Sequence, residues 1–95
     1  SPQAPPVQTG KTLTVVATAY TMRGTTTTGI PTGPGIVAVD PTVIPLGTRM
    51  TIPGYGEGVA ADTGGAIRGL RVDVWVATAA EAAQWQWKTV TITLH

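Results

Sequence analysis

Cysteine is absent from the 95 residues, so neither a disulfide framework nor a thiolate metal site can form. Histidine occurs once, as His95 at the end of the chain, where it reads as a chain end or tag remnant; an imidazole-held zinc centre needs more ligands than that. No metal and no cofactor are therefore expected, and a carboxylate-held ion is the one route left open. Charge is also scarce, with 12% of residues charged and a formal net charge of +1. Lys11, Arg23, Arg49, Arg68, Arg71 and Lys88 are scattered, which provides no basic stripe for nucleic acid. No apolar run approaches the ~20 residues of a membrane-spanning helix, so membrane insertion is not expected. The chain starts at Ser1 without a methionine, and the expectation is a secreted segment of a larger or processed precursor.

What is plentiful is Gly, Pro and Thr, within a chain that is 42% hydrophobic. That balance favours one small domain of packed strands joined by tight turns. Residues 1–11 are read as a flexible linker, because Pro2, Pro5 and Pro6 with Gln, Ser and Gly have little apolar surface to bury. The barrel domain is placed at residues 12–95. Residues 12–20 alternate Leu13, Val15 and Ala17 against Thr12, Thr14, Val16 and Thr18, a strand pattern. Residues 21–35 hold four glycines, two prolines and four successive threonines, hence a long and potentially functional loop.

Further strands are predicted at residues 36–39, 48–52, 59–61, 70–76 and 89–94, with a glycine-rich turn at 53–58. In the fourth of these segments Leu70, Val72, Val74 and Val76 face one way and Arg71, Asp73 and Trp75 the other. Thr78-Ala79-Ala80-Glu81 is a capping box that opens a helix of about two turns, ending near Gln84. Strands of this number with one short helix predict an all-β fold, a compact barrel.

Asp40, Asp62 and Asp73 are all the aspartates in the chain, and two of them end apolar strands, Ala38-Val39-Asp40 and Ala60-Ala61-Asp62. An aspartate in such a place bonds the backbone of its own turn or carries chemistry. The segments Ala17-Thr18-Ala19-Tyr20, Ala38-Val39-Asp40-Pro41, Ile44-Pro45-Leu46-Gly47-Thr48, Ala61-Asp62-Thr63-Gly64-Gly65-Ala66-Ile67-Arg68-Gly69 and Arg71-Val72-Asp73-Val74 resemble the 3D (three-aspartate) domain family of muralytic proteins. The resemblance spans residues 14–94. It implies a small double-psi β-barrel and a peptidoglycan lytic transglycosylase that cleaves the β-1,4 bond between N-acetylmuramic acid and N-acetylglucosamine, leaving 1,6-anhydro ends. Asp73 would then be the general acid and base, with Asp62 and Asp40 as supporting carboxylates. Such a cut needs one group that protonates the leaving oxygen and later takes a proton from the attacking muramic 6-hydroxyl. Clustered carboxylates are expected to raise one another's pKa and keep that group protonated.

Thr18, Tyr20 and Thr28, with Gly64 and Gly65, are candidates to contact sugar, and Trp75, Trp85 or Tyr55 to stack on it, although tryptophans also fill barrel cores. Arg68 and Arg71 are read as surface charges or as partners of an acidic muramyl or peptide group. Relatives often have Gly after the short helix, where this chain has Trp85-Gln86-Trp87, so either Gln86 carries any positive φ there at some cost or the turn is rebuilt. Two other readings stay open: a non-catalytic glycan-binding or expansin-like module, and a retroviral-type aspartic protease suggested by Asp62-Thr63-Gly64. Peptidoglycan glycan strands are the expected partner. Monomer and homodimer are equally compatible with the sequence.

Overall fold

The computed structural model describes residues 10–64 and 67–95. Six strands and one short helix follow in the order β1 (Lys11–Tyr20), β2 (Ile36–Val39), β3 (Arg49–Ile52), β4 (Gly56–Thr63), β5 (Arg71–Trp75), α1 (Ala79–Ala83) and β6 (Lys88–Leu94). They close into a barrel of order β1-β5-β2-β4-β3-β6, the expected small double-psi β-barrel. Two pairs are parallel, β1 with β5 and β2 with β4; the remaining pairs are antiparallel. No described helix is long and apolar enough to cross a membrane.

Alternation decides what enters the core. Val15 and Ala17 of β1, Val37 and Val39 of β2, Val72 and Val74 of β5, and Met50, Ile52, Ile92 and Leu94 point inward, each at most 3% exposed. Short β-branched side chains suit so narrow an interior, and each buried valine contributes about 1.5–3 kcal/mol of transfer free energy. The odd-numbered residues of β5 face outward as predicted. Leu70 departs from the pattern: β5 starts one residue later, and Leu70 is 53% exposed.

The predicted turn at 53–58 is shorter than expected, because Gly56 and Gly58 belong to β4. A Cβ on Gly58 would lie 2.8 Å from Val37 Cγ2, so this glycine permits close strand packing and does not mark a turn. Lys11 is already in β1, paired with Leu94, so the barrel begins before the predicted boundary. The remainder of the predicted linker, residues 1–9, lies outside the described residues. Thr78 caps α1 by accepting the Glu81 amide at 3.2 Å. The reciprocal half differs from the expected box: Glu81 Oε1 accepts the Thr78 hydroxyl at 3.1 Å.

The positive φ after the helix falls on Trp87 (φ 52), not on Gln86. Backbone bonds from Gln84 and Trp85 amides to Glu81 and Ala82 carbonyls extend the tight turn past the helix, so the left-handed residue comes later than predicted.

Candidate active site

Asp73 and Asp62 are placed on the outer face of the barrel, beside the long loop. Asp73 pairs with Thr18 across the parallel β1/β5 contact and with Ala38 across β5/β2. Ala38 in turn pairs with Asp62 on β4. Thr18, Asp73, Ala38 and Asp62 therefore form one row across four strands. The two carboxylates flank the small Ala38, about 10 Å apart at the backbone given two strand spacings.

A register shift between Val37 and Ala38 puts Asp62 in this row. Val37 pairs with the core residue Ala60, so uninterrupted pairing would set Ala61 beside Ala38 and leave Asp62 opposite Val39, on the core side. The bulge adds one residue to β4 and turns Asp62 to the outside.

Asp73 is half-buried, and its Oδ1 accepts the Thr18 hydroxyl at 3.1 Å. Burial pushes its pKa above the usual carboxylate value, against the smaller lowering effects of Thr18 and of the Arg71 charge. The cause differs from the expected repulsion among carboxylates: desolvation is what favours the protonated form. Tyr20 lies two residues beyond Thr18 on the same face. Its phenolic oxygen is buried with no hydrogen-bond partner among the described residues, and burial, then the charges of Asp62 and Asp73, push its pKa up to about 12. A proton-bearing donor is thus held close to both carboxylates.

Asp62 Oδ1 accepts the Thr27 amide and hydroxyl, each at 3.0 Å, and the Thr63 amide at 2.9 Å. It fastens the long loop to β4. Thr27 escaped sequence reasoning, since nothing in four successive threonines marks which one reaches an aspartate. Thr28, predicted to contact sugar, donates to the Ala61 carbonyl at 2.8 Å and serves the same fastening. Within the loop, Thr26 is buried and its hydroxyl accepts the Ile30 amide at 3.1 Å.

Asp40 stands apart from the row. Its Oδ1 accepts the Thr42 amide at 3.0 Å and hydroxyl at 2.7 Å, and its Oδ2 the Gly69 amide at 2.7 Å. The Gly69 bond first, then those from Thr42, hold its pKa down at about 2. That is an aspartate bonding its own turn and clamping the following loop.

Gly64 is also structural: a Cβ there would meet Ile67 Cγ1 at 2.8 Å. Gly65 lies outside the described residues. Trp75 is on the predicted face, but its ring is buried against Ile36 and Ala61 and its indole N–H donates to the Met22 carbonyl at 3.1 Å. A sugar has little of this ring to stack on, contrary to expectation. Trp85 is buried in the core, 6% exposed, with Tyr55 edge-on to it. Tyr55 spends its hydroxyl on the Trp75 carbonyl and the Gly35 amide.

A cavity of about 420 Å³, lined by Tyr55, Glu57, Trp75, Glu81 and Trp85 among others, is not at the aspartates. A smaller one of about 190 Å³ lies at Tyr20, Arg23, Thr25 and Asp62. The carboxylate face itself is shallow and open. Among the described residues no group of three or more His, Cys, Asp or Glu side chains converges to hold a metal.

The chain is 47% identical over 94 residues to the cell wall-binding protein YocH of Bacillus subtilis, covering 90% of this chain and 33% of that protein. It is 45% identical over 93 residues to the putative cell wall shaping protein YabE of the same organism, covering 88% of this chain and 23% of that one. The chain thus spans a third or less of the length of these relatives. Among solved structures it is similar to MltA from E. coli, with a TM-score of 0.56 and 25% identity over 76% of this chain and 27% of MltA. The pattern of the 3D domain matches residues 35–94, well over half of the sequence. With the three aspartates in order on an MltA-like barrel, the chain belongs to the 3D domain family.

Proposed function

We propose that this chain is the catalytic barrel of a peptidoglycan lytic transglycosylase, with Asp73 as general acid and then base. One observation carries the reading: Asp73 and Asp62 stand in one outward row on either side of Ala38, with the half-buried Asp73 carboxyl held by the Thr18 hydroxyl at 3.1 Å and favoured in its protonated form by burial. An acid so placed beside a second carboxylate meets the two requirements of glycoside cleavage, a proton for the leaving oxygen and negative charge near the reacting carbon.

In the proposed reaction protonated Asp73 gives its proton to the glycosidic oxygen as the bond to the muramic anomeric carbon breaks. The 6-hydroxyl of the same muramic residue attacks that carbon, and the Asp73 carboxylate takes the hydroxyl proton. The acid form returns, no water is consumed, and the product is a 1,6-anhydro ring. Thr18 orients the carboxyl through its 3.1 Å bond. Asp62 supplies negative charge facing the oxocarbenium-like centre and keeps the loop in place. The buried Tyr20 hydroxyl, which has no partner among the described residues, donates to a sugar oxygen. An unsatisfied buried donor of that kind costs about 1–3 kcal/mol, which substrate binding recovers. Asp40 acts at a distance by clamping Gly69 ahead of β5.

A second reading, a non-catalytic wall-binding module, is favoured by the names of the two Bacillus relatives and by the small share of each that the chain spans. Digestion of purified peptidoglycan followed by mass spectrometry of the sugar ends separates the two. Anhydro ends support the transglycosylase, reducing ends indicate a hydrolase, and sedimentation with the wall without any product supports the binding module. Asp73→Asn should lower cleavage by ~10²-fold or more while wall binding survives. Wild-type turnover by a folded Asp73→Asn protein would remove Asp73 from the reaction.

A further inference from the structure

Among the described residues, Trp87 is the non-glycine residue with a left-handed backbone. A bulky side chain is strained at φ 52, where glycine is the ordinary occupant of a turn leaving a short helix. The core gives no reason for a tryptophan here, since Trp87 is 66% exposed while Trp85, two residues earlier, is buried. Gln84, Gln86, Lys88 and Thr89 around it in sequence are exposed and polar. What holds it is Arg71, whose guanidinium carbon stands 4.4 Å from the ring centroid.

The position of that ring matters. Antiparallel pairing of β1 with β6 ends at Ala17 and Lys88, so Thr18 and Trp87 are the residues at which the two strands leave the ladder. Thr18 holds Asp73. Arg71, under the ring, is two residues before Asp73 on β5 and so on the same outer face. Trp87 therefore stands at the Thr18 end of the row Thr18, Asp73, Ala38, Asp62.

We propose that Trp87 is a stacking platform for a sugar ring of the glycan strand next to the bond presented to Asp73. This rests on the reading that the carboxylate face takes glycan. A pyranose has an apolar C–H face and a polar rim, which matches an isolated indole surrounded by hydrogen-bonding side chains. Arg71 pins the indole before the sugar arrives, so less conformational freedom is lost on binding.

The test uses peptide-free glycan strands and the full chain carrying Asp73→Asn, so that binding is measured without cleavage. Adding Trp87→Gly removes the ring and also relaxes the backbone, so the protein stays folded. Binding is expected to weaken about fivefold or more, and Trp87→Phe to stay within about twofold of the parent. Equal binding by the Trp87→Gly protein overturns the platform and leaves the transglycosylase reading intact. A loss seen only on sacculi that carry peptide stems, with none on bare strands, also overturns it, because the ring would then contact peptide. Failure of the Asp73→Asn parent to bind any strand sinks the functional reading and the platform together.

Discussion

The left-handed backbone at Trp87 makes a quantitative comparison possible between two variants that lack the ring, Trp87→Gly and Trp87→Ala. The contact with Arg71, worth about 0.5–1 kcal/mol at an exposed site, is lost in both and cancels. Alanine keeps the strain of φ 52, roughly 1–2 kcal/mol for an L-residue, and glycine removes it. Glycine loses about 0.4–1 kcal/mol of that gain through its freer unfolded chain. The Gly variant should therefore be the more stable by about 0.5–1 kcal/mol, or about 2–8 °C in melting temperature for a domain of this size. Thermal and urea unfolding followed by the remaining two tryptophans measures the difference on equal footing. An Ala variant as stable as the Gly variant would refute the reasoning, since the turn would then not hold its last residue in the left-handed region.

Asp73→Asn should raise stability at neutral pH while it abolishes cleavage. The folded pKa lies above the ordinary 3.8, so the stability this group contributes is present below 3.8 and is lost as pH rises through the folded value. Melting curves from acid to neutral pH should show the Asn variant gaining on wild type upward and converging with it in acid; a neutral-pH loss would contradict the burial argument. Asp40→Asn has the opposite sign. Its carboxylate stabilises the fold above 3.8, and that contribution fades as pH falls toward about 2, so the variant should melt lower than wild type at neutral pH and match it in strong acid. A deficit unchanged at low pH would show that the charge is not what the Gly69 and Thr42 bonds require.

Much of this site was readable in advance because it follows from side-chain alternation. Val72 and Val74 need the core, so Asp73 between them had to face out, and Thr78 with Glu81 fixed where the helix starts. Asp62 was less legible. Its face depends on a one-residue register shift against β2, and the run Ala60-Ala61-Asp62 reads equally well with or without it. Gly58 read as part of a turn because sequence alone does not separate a glycine needed for φ > 0 from one needed for close approach, and here Val37 at 2.8 Å decides. Asp40 and Asp62 end similar strands yet differ in role, since the donors that saturate Asp40 come partly from Gly69, 29 residues away. The displacement of the positive φ from Gln86 to Trp87 turns on one extra residue of tight turn, a boundary that local preference does not resolve.

The barrel closes by pairing its first strand with its last, Lys11 with Leu94, and the Gly10 amide donates to the Leu94 carbonyl at 2.8 Å. Chain entry and exit therefore meet at one corner, on neighbouring antiparallel strands. Tension applied between those two points runs across the β1/β6 ladder and not along it, so its bonds take the force singly, from Lys11 toward Ala17, like the teeth of a zipper. The fold is mechanically soft along this direction, and unzipping β1 from β6 would open the barrel as far as Ala17, the neighbour of Thr18, while the pairing of β1 with β5 still holds Thr18 against Asp73.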